Sequence, residues 1–403
     1  MKILFLASTF RKPNPSWHLM RALMEDLLAA GIKIHAVQRT YANADMPAFP
    51  DTILHHENFS YSEVACKPVN KKKFVKRYLE AAWYSWRLRK HIRKNNDYDM
   101  IFIQSSITSF FTLCYARHFA KKRPVIFNSQ DMFPGSAIAN GSMPKKWMQK
   151  IFYAMQRHAY KKVSVFTAIS EDMKVKLMEQ SVPEEKIRVI VNWYDDTAVK
   201  EVTWEDNRFV QQFELSKEKF YVQYAGTMGT NFNPKVVLDV AERLRDYPGI
   251  EFQMIGNGVR KDKFEKEAEA RGLTNIVFYP LQPQDMVADV YSACSVCLIP
   301  LQKGVIGNSV PSKAGLLMAC RRVIVNAVDK GSDYGDMFER EQIGFSSDVA
   351  DADKIAKDIL YLYENPNIRE EYANRAQAYG LTEYSRTVNT KKYIALFEEL
   401  GKR

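Results

Sequence analysis

The chain has 403 residues, of which 46% are hydrophobic and 26% are charged, with only 17 Gly and 16 Pro; this composition excludes long disorder, collagen and other fibrous classes. No apolar run approaches the roughly 18 residues of a membrane-spanning helix, and the opening residues lack a signal-peptide layout, so we expect a cytosolic protein. The five cysteines, an odd number at scattered positions, favour free thiols in a reducing compartment.

The net charge of +11 is carried by the first half of the chain. Residues 1–205 contain 32 Lys and Arg against 19 Asp and Glu, a net charge of +13, whereas the rest has 26 against 28, a net charge of −2. The segment 67–94 alone holds 11 basic residues and one acid, Glu80. This asymmetry predicts that the first half meets an anionic partner.

The first half begins as a parallel sheet. The apolar run Lys2–Ser8, the helical period of Trp17–Ala30 and the β-rich run Ile32–Gln38 predict a βαβ unit. Further short strands separated by helical stretches complete a doubly wound pattern; they are expected at Met100–Gln104, Pro124–Ser129, Val163–Ile169 and Ile187–Asn192. We assign residues 1–200 to an N-terminal Rossmann-like domain, followed by a polar crossing segment, Asn192–Lys219.

Two basic helices are predicted within this domain. The first has an apolar series at helical spacing, namely Phe74, Tyr78, Ala81, Ser85, Leu88 and Ile92. Trp and Tyr favour the headgroup level of a bilayer while Lys and Arg approach anionic lipid, so this composition is typical of a helix lying on a cytoplasmic membrane face. The second predicted helix, which follows Lys145, again places aromatic residues among lysines and arginines. The predicted membrane residues are Lys71, Lys72, Lys73, Lys76, Arg77, Trp83, Trp86, Lys145, Lys146 and Trp147.

Two other interpretations of the basic helices stand beside the membrane. Each basic face can simply be solvated while its apolar side packs on the domain. Nucleic acid is the other anionic partner, but the sequence has no zinc-finger spacing, RNP-type strand or other recognition signature, so we expect no nucleic-acid binding. We predict a peripheral protein on the inner face of the plasma membrane.

Strands and helices alternate again after the crossing segment. Five strand-like runs are each followed by a candidate helix: Phe220–Gly226, Ile250–Gly256, Ile276–Leu281, Ser295–Leu301 and Arg322–Ala327. Helical patterns close the sequence at Asp351–Glu364, Asn367–Tyr379 and Glu383–Leu400. We assign 201–380 to a second Rossmann-like domain and 381–403 to a C-terminal helix, with packing back on the first domain as one option. The predicted fold is α/β, with two doubly wound domains facing a cleft and ligands beyond the carboxyl ends of the strands.

Two glycine turns follow successive strands of the second domain. The first reads Gly226-Thr227-Met228-Gly229, and the second reads Gly256-Asn257-Gly258-Val259-Arg260. Glycines let a backbone approach a ligand closely, and N–H groups at the start of a following helix suit a phosphate. Either turn alone can be purely structural. Neither matches GxxxxGK[ST] or GxGxxG, so we expect neither an ATPase nor a dehydrogenase.

A polar loop ending in a lysine follows the fourth strand of this domain. It includes Asn308 and Ser309 and ends in Ser312, which could cap the next helix, and Lys313. The helix dipole disfavours a cation in the first turn unless the cation faces an anion such as a diphosphate. A solvent-facing lysine is the alternative.

Other chemistries find little support in the sequence. Cys294 and Cys297 stand on a strand edge without a second CxxC or a His pair, which favours burial over zinc binding. No HExxH or GxSxG pattern occurs, and we expect neither a metal nor another cofactor. In the first domain, Asp131 follows a strand, where a carboxylate facing the cleft serves as a base, orients a substrate hydroxyl, or caps the next turn.

In their order along the chain, these segments resemble the GT-B glycosyltransferases of family 4, particularly the O-antigen and capsule branch. The resemblance covers nearly the whole sequence. Asp131-Met132-Phe133-Pro134 is similar to that branch's Asp-Leu-Trp-Pro. The other segments that carry it are Ile169-Ser170-Glu171-Asp172-Met173-Lys174, Ile187-Arg188-Val189-Ile190-Val191-Asn192-Trp193, Ala225-Gly226-Thr227-Met228-Gly229 and Val310-Pro311-Ser312-Lys313.

The resemblance implies a nucleotide-diphosphate-sugar donor on the C-terminal domain, an acceptor on the N-terminal domain, and transfer with retention of configuration. It implies Asp131 and Lys313 as catalytic residues, with Asn14 and Ser16 beside Asp131 on the acceptor side. A diphosphate leaving group gathers negative charge, which N–H dipoles and one cation can stabilise without a metal. The implied donor-binding residues are Gly226, Thr227, Gly229, Gly256, Gly258, Arg260, Pro280, Leu281, Asn308, Ser309, Ser312 and Lys313.

The sequence departs from the family pattern in the second domain. The Arg and Lys that many members carry in the first glycine loop correspond to Thr227 and roughly Phe232. The E-x7-E element is missing, and no acid occurs between Leu301 and Val328. Neutralisation of the donor must then fall on Lys313, Arg260 or the backbone.

We therefore predict a hexosyltransferase that extends a polyprenyl-diphosphate-linked saccharide for a bacterial surface polysaccharide. The alternative is a non-catalytic, GT-B-like subunit that binds the membrane or a partner enzyme. The motifs do not specify the donor sugar, its base, the linkage or the oligomeric state.

Overall fold

A computed structural model describes residues 1–10, 17–41, 49–67, 74–94, 97–120, 122–139 and 141–402. The predicted residues Asn14, Ser16, Lys71, Lys72 and Lys73 lie outside these ranges, as does the side chain of Arg77. The chain divides into two compact units. Unit 1 comprises Met1–Val191 and Asn389–Arg403, and unit 2 comprises Asn192–Val388. The domain limits predicted at residues 200 and 380 fall inside unit 2.

Unit 1 is built on a parallel sheet. Its strands are β1 (Lys2–Leu6), β2 (Lys33–Tyr41), β3 (Phe59–Cys66), β4 (Met100–Gln104), β5 (Val125–Ser129), β6 (Val165–Ala168) and β7 (Ile187–Val189). These seven described strands lie in the order β3-β2-β1-β4-β5-β6-β7, and each neighbouring pair is parallel. The strand order switches between β1 and β4, the position at which ligands bind in doubly wound sheets.

The helices of unit 1 cover a sheet whose central strands are buried on both faces. They begin with α1 (Trp17–Ala29), α2 (Asp51–Leu54), α3 (Phe74–Lys94), α4 (Ser109–Ala120), α5 (Gly135–Ala139), α6 (Lys146–Tyr160) and α7 (Glu171–Glu179). In the predicted apolar series on α3, Ala81, Ser85, Leu88 and Ile92 are buried and Tyr78 is half-buried. The sequence of α3 therefore orients one face toward the sheet and leaves its cations outside.

Unit 2 repeats the same architecture. Its strands are β8 (Phe220–Ala225), β9 (Ile250–Ile255), β10 (Ile276–Tyr279), β11 (Val296–Pro300), β12 (Val323–Val328) and β13 (Gly344–Asp348), in the order β10-β9-β8-β11-β12-β13. Its helices are α8 (Arg208–Gln212), α9 (Pro234–Arg243), α10 (Lys261–Ala270), α11 (Val287–Ser292), α12 (Ala314–Ala319), α13 (Asp333–Arg340), α14 (Ala352–Glu364) and α15 (Pro366–Glu383). The prediction of two doubly wound α/β domains is confirmed.

The sequence patterns missed one edge strand in each sheet. In β3, polar and partly exposed residues interrupt the apolar run, because this strand lies at the edge of its sheet. The short strand β13 contains only one large apolar residue, Phe345. The crossing segment also holds a short helix, α8, which begins at Arg208 because the side chain of the preceding N-cap residue, Asn207, accepts the N–H groups of Phe209 and Val210.

The thiol predictions are confirmed. All five cysteines are free. Cys294 and Cys297 are buried, with their sulfur atoms 3.4 Å apart. Cys297 lies in β11 and Cys294 just before it, and both pack in the interior of unit 2 as small apolar side chains do.

The last helix, α16 (Arg386–Gly401), contributes aromatic side chains to the core of unit 1. The ring of Phe397 lies 5.8 Å from that of Phe102 in β4, at an interplanar angle of 87°. The hydroxyl of Tyr393 lies 3.3 Å from both Asn128 Oδ1 and Thr167 Oγ1, on β5 and β6. The C-terminal residues thus close the hydrophobic core of the first sheet.

Phe397→Ala is expected to lower the free energy of unfolding of unit 1 by about 3–5 kcal/mol, because it leaves a cavity in a buried aromatic cluster. Lys391→Ala, on the exposed face of the same helix, is the control and is expected to change it by less than about 0.5 kcal/mol. Urea unfolding followed by tryptophan fluorescence measures both. A Phe397→Ala curve that coincides with that of the native protein would show that α16 does not stabilise unit 1.

Candidate functional site

The two predicted glycine turns of unit 2 pack against each other. Gly226 and Gly256 have φ angles of +153° and +134°, a region that side chains other than hydrogen rarely tolerate. A Cβ atom on Gly256 would lie 2.1 Å from the carbonyl oxygen of Gly226, and one on Gly258 would lie 2.3 Å from that of Met228. Only glycine fits at these contacts, so the turns after β8 and β9 form one backbone cluster.

Half of the amides in the first turn are already used within this cluster. The N–H of Gly226 donates to Ile255 O and that of Met228 donates to Asn257 O, each at 2.9 Å. The resemblance implies that the backbone of residues 226–229 faces a diphosphate, but the N–H groups of Gly226 and Met228 are therefore not available to it. The N–H groups of Thr227 and Gly229 donate to none of the residues that the structure describes. These two amides are the ones that can meet a ligand.

Lys313 brings its ammonium to the same cluster. Its Nζ donates a 2.9 Å hydrogen bond to the carbonyl oxygen of Ala225 and lies 3.8 Å from the centre of the Tyr224 ring. A Cβ on Gly226 would lie only 2.8 Å from this Nζ. The glycine thus makes room for the lysine as well as for the second turn.

The ammonium of Lys313 has no carboxylate partner among the described residues. Burial therefore lowers the pKa of Lys313 to about 8. An anion that entered the cluster would pair with this cation and stabilise its charged form. Together with the amides of Thr227 and Gly229, the arrangement can bind a diphosphate and stabilise charge that develops on it.

The expectation that Ser312 caps the helix after this loop is wrong. The helix α12 begins at Ala314, and Lys313 itself occupies the N-cap position with helical backbone angles. Ser312 is exposed. The side chains of Ser309 and Ser312 form no hydrogen bond with a described residue, and Asn308 Nδ2 donates to Gly304 O within its own loop. The structure links none of these three side chains to the glycine cluster.

The remaining donor-side predictions fall at two places. Arg260 donates from Nη1 to Phe232 O at 2.6 Å, so its guanidinium holds the first glycine loop in place. Pro280 and Leu281 follow β10 and are exposed. The end of β10 reaches the cluster through a 3.4 Å hydrogen bond from Gly256 N to Tyr279 O.

Two residues of this region were missed from the sequence. Tyr224 supplies the ring beneath the Lys313 ammonium, and its hydroxyl donates to Thr227 O at 2.8 Å. Asp329, after β12, accepts the N–H of Gly304 at 2.8 Å and the N–H of Ile306 at 3.3 Å. Asp329 is the first acid after the acid-free stretch, and it fixes the loop that leads to Lys313. In the sequence, the position of Tyr224 before the glycine turn and the position of Asp329 after a strand were the signals that could have identified them.

In unit 1, Asp131 follows β5 at the carboxyl edge of the sheet. The hydroxyl oxygen of Ser105, after β4, accepts the N–H groups of Gln130 at 3.0 Å and Asp131 at 3.2 Å. The Asp131 carboxylate accepts no hydrogen bond from a described residue, so it does not cap the following turn. Partial loss of solvation raises the pKa of Asp131 to about 6, although the residue as a whole is exposed.

The described membrane-side predictions lie on exposed surfaces of α3 and α6. Trp83 and Trp86 are 43% and 38% exposed, and Trp147 is 61% exposed. The guanidinium of Arg87 lies 5.3 Å from the Trp83 ring and that of Arg89 lies 4.2 Å from the Trp86 ring. Other exposed residues of the two helices include Lys76, Leu79, Lys146 and Ile151, and the exposed Lys145 precedes α6.

Two family models match the chain. The model described as Glycosyltransferase Family 4 matches residues 18–198, and the model described as Glycosyl transferases group 1 matches residues 205–379. Between them, the two models account for most of the sequence.

Comparison with curated proteins gives two relatives. The chain is 28% identical over 187 residues to WcaI of Escherichia coli (strain K12), which is named as a colanic acid biosynthesis glycosyl transferase. It is 24% identical over 231 residues to WbjE of Pseudomonas aeruginosa, named as a glycosyltransferase. The matches cover 46% and 56% of this chain and the same shares of the two relatives, so the chain spans about half the length of the curated relatives it matches.

A solved structure shares the whole fold. Anabaena Alr3699/HepE in complex with UDP has a TM-score of 0.76 and 14% identity, with 99% of this chain and 100% of that chain covered. The same protein was also solved with UDP-glucose. The family models, the two relatives and this fold agree: the chain belongs to glycosyltransferase family 4 and has the two Rossmann-like domains of the GT-B fold.

Proposed function

We propose that the protein transfers a sugar from a nucleoside-diphosphate donor to a saccharide acceptor linked to polyprenyl diphosphate. The observation that carries this proposal is the cluster in unit 2, where Gly226 and Gly256 hold two turns together beside the ammonium of Lys313. This cluster presents a buried cation without a carboxylate partner among the described residues. Such a site binds a compact dianionic group such as a diphosphate.

The same cluster supports catalysis of the transfer. As the bond between the anomeric carbon and the diphosphate oxygen breaks, negative charge grows on the leaving nucleoside diphosphate while the acceptor oxygen bonds to that carbon. Lys313 and the amides of Thr227 and Gly229 stabilise this charge where it develops. We propose that these groups replace a metal ion, and that configuration is retained as in the family that the chain resembles.

The relatives support the donor and the product class. Alr3699/HepE binds UDP and UDP-glucose, and WcaI is named for colanic acid biosynthesis, a polysaccharide. We infer a nucleotide-sugar donor and a place in the synthesis of a bacterial surface polysaccharide, such as O-antigen or capsule. On the acceptor side, Asp131 is the carboxylate that would accept a hydrogen bond from the reacting hydroxyl. With a pKa of about 6, it is ionised at neutral pH.

Incubation with lipid-linked saccharide and a panel of UDP- and GDP-sugars, read by mass spectrometry, is expected to show one donor consumed and one sugar added. Lys313→Ala is expected to weaken UDP or GDP binding roughly 10- to 100-fold in calorimetry, because a charge-assisted hydrogen bond is lost. Lys266→Ala, an exposed lysine on α10, is the matched control and should bind as the native protein does. Binding of neither nucleotide would favour the non-catalytic, GT-B-like subunit.

The affinity for UDP is expected to fall as the pH rises above about 8. The charged form of Lys313 binds the diphosphate, and in the free protein its lowered pKa of about 8 means that the charge is present below pH 8 and is lost above it. The loss approaches roughly tenfold per pH unit, measured between pH 7 and 10, where the phosphate with a pKa of about 6 no longer titrates. The affinity of the Lys313→Arg variant for UDP should stay the same from pH 7 to pH 10, because arginine stays charged. An unchanged affinity of the native protein up to pH 10 would contradict the assignment.

We also propose that unit 1 docks on an anionic membrane through α3 and α6. None of the described helices is long and apolar enough to cross a membrane. Exposed Trp83, Trp86 and Trp147 beside arginines and lysines form the combination found on helices that lie in the headgroup region. The net charge of +13 in residues 1–205 adds long-range attraction to anionic lipid.

Reversing three exposed lysines, Lys76→Glu, Lys145→Glu and Lys146→Glu, is expected to release the protein from vesicles that contain anionic lipid. Each basic residue near such a surface contributes about 1 kcal/mol, so three reversals should lower the partition coefficient at least 100-fold. The control carries the same change in net charge on unit 2, at Lys263, Lys266 and Lys357, which are also exposed. Vesicle sedimentation at low and high salt measures both variants. Equal retention of the two would show that the lysines of unit 1 are only solvated.

A further inference from the structure

Tyr224 is a buried polar side chain at the carboxyl end of β8 that the proposed transfer does not yet use. It is 7% exposed and stands two residues before Gly226. A buried tyrosine hydroxyl usually finds a hydrogen-bond partner. Tyr221, on the same strand, finds one away from the glycine cluster, because its hydroxyl accepts the N–H of Ser216 at 2.9 Å. Tyr224 instead places both its ring and its hydroxyl at the cluster.

The ring of Tyr224 faces the ammonium of Lys313. The Nζ atom lies 3.8 Å from the centre of the ring and 2.9 Å from Ala225 O, to which it donates. The face of an aromatic ring attracts a cation, and the attraction is stronger where water is excluded. The carbonyl oxygen and the ring together fix the place of the ammonium in a part of unit 2 where no described carboxylate pairs with it.

The hydroxyl of Tyr224 acts on the first glycine turn. It donates to Thr227 O at 2.8 Å, while Met228 N donates to Asn257 O at 2.9 Å. Thr227 O and Met228 N belong to one planar peptide group, so both polar atoms of this group are held. The N–H groups of Thr227 and Gly229 stand on either side of it and donate to none of the described residues. The held peptide therefore fixes the two flanking amides that can meet an anion.

Two roles suit a buried tyrosine at this position. As a packing residue, Tyr224 contributes its ring to the core of unit 2, where it lies 4.6 Å from the ring of Phe232. That role needs the ring but not the hydroxyl, and phenylalanine would fill it without burying a polar group. The contacts of Tyr224 with Lys313 and with Thr227 O reach both anion-binding parts of the cluster at once. The hydroxyl thus favours a role in the site over packing alone.

We propose that Tyr224 is a positioning residue of the diphosphate site: its ring sets the place of the Lys313 ammonium, and its hydroxyl sets the orientation of the amides of Thr227 and Gly229. Tyr224 acts through these groups and not on the donor itself. The proposal rests on the transferase function proposed above and deepens it, because it names the residue that holds the cation and the amides in one arrangement before a donor binds.

The two parts of Tyr224 are expected to affect the titration of Lys313 differently. The ring favours the charged form of the amine, so loss of the ring lowers the pKa of Lys313 below its value of about 8, whereas loss of the hydroxyl alone leaves it there. Two other titratable neighbours are Tyr291 of α11, whose hydroxyl lies 3.5 Å from Ala225 O, and Cys297 of β11. Burial raises the pKa of Tyr224, Tyr291 and Cys297, so these three keep their protons while Lys313 loses its charge.

The variants Tyr224→Leu and Tyr224→Phe separate the ring from the hydroxyl, with UDP affinity measured by calorimetry between pH 7 and 10. In Tyr224→Leu, the fall of affinity with rising pH is expected to begin about half a pH unit or more below that of the native protein. Tyr224→Phe is expected to keep the native midpoint and to bind UDP about three- to tenfold more weakly at each pH, because the flanking amides lose the bond that orients them. Tyr224→Met replaces Tyr224→Leu if the latter does not fold.

Tyr221→Leu and Tyr221→Phe are the matched controls. Tyr221 lies on the same strand, is 2% exposed and has one hydroxyl bond to the backbone, and none of the contacts described for it reaches Lys313. These variants are expected to lower the melting temperature but to keep the native affinity for UDP and the native midpoint. Equal losses of affinity in the Tyr221 and Tyr224 variants would assign both residues to the packing of β8 and refute the proposal.

A readout that needs no nucleotide separates this role from the proposed function. The neutral amine of Lys313 reacts with acetic anhydride and its ammonium does not, so the yield of acetylated peptide against pH, read by mass spectrometry, gives the titration of Lys313 in the free protein. A midpoint that shifts in Tyr224→Leu but not in Tyr224→Phe would support the positioning role even where UDP and GDP fail to bind, a result that would overturn the proposed function alone. Binding of UDP with the same midpoint in the native protein and in Tyr224→Leu would overturn the positioning role and leave the proposed function intact.

Discussion

The ammonium of Lys313, held by a carbonyl oxygen and an aromatic ring and not by a carboxylate, is the interaction on which the site in unit 2 depends. It exists only because Gly226 has no side chain, and Gly226 can adopt its position only because Gly256 leaves space for its carbonyl group. Tyr224 contacts both the cation and the first glycine turn, since its ring faces Lys313 and its hydroxyl donates to Thr227 O. One missing Cβ at each of two turns thus determines where the cation stands.

The energetics of this cation explain why the site suits a diphosphate. Removing an ammonium from water is unfavourable, and the single carbonyl and the ring compensate only in part, so the pKa falls to about 8. A dianion that binds there supplies the negative partner that Lys313 lacks. The free energy of removing the ammonium from water has already been spent in folding, so the pairing is favourable. Unit 2, residues 192–388, contains 23 Lys and Arg against 30 Asp and Glu, a net charge of −7, so its attraction of an anion is local to this cluster. The long-range field belongs to unit 1 and suits a membrane surface.

The sequence predicted the fold well where elements are buried on both faces. Runs rich in apolar residues identified each described strand except β3 and β13, whose polar residues belong to sheet edges. The glycine turns were found one at a time, but their mutual packing follows from the register of β8 and β9, which places Gly226 N against Ile255 O. Tyr224 was missed although it stands just before the glycine turn, because in sequence it resembles any other aromatic residue of a buried strand. Ser312 was misassigned as a cap because a polar residue before a helix is ambiguous by one position.

The helices α3 and α6 each present two different faces, and the geometry of a helix shows that these faces are compatible. With about 100° between successive residues, Trp147 and Ile151 lie on one side of α6, whereas Phe152, Gln156 and Tyr160 lie on nearly the opposite side. On α3, the exposed Leu79 and Trp83 stand about 100° or more from Tyr78. A membrane that contacts the exposed aromatic residues would therefore meet the outward sides of α3 and α6 and would leave their inward sides packed on the domain.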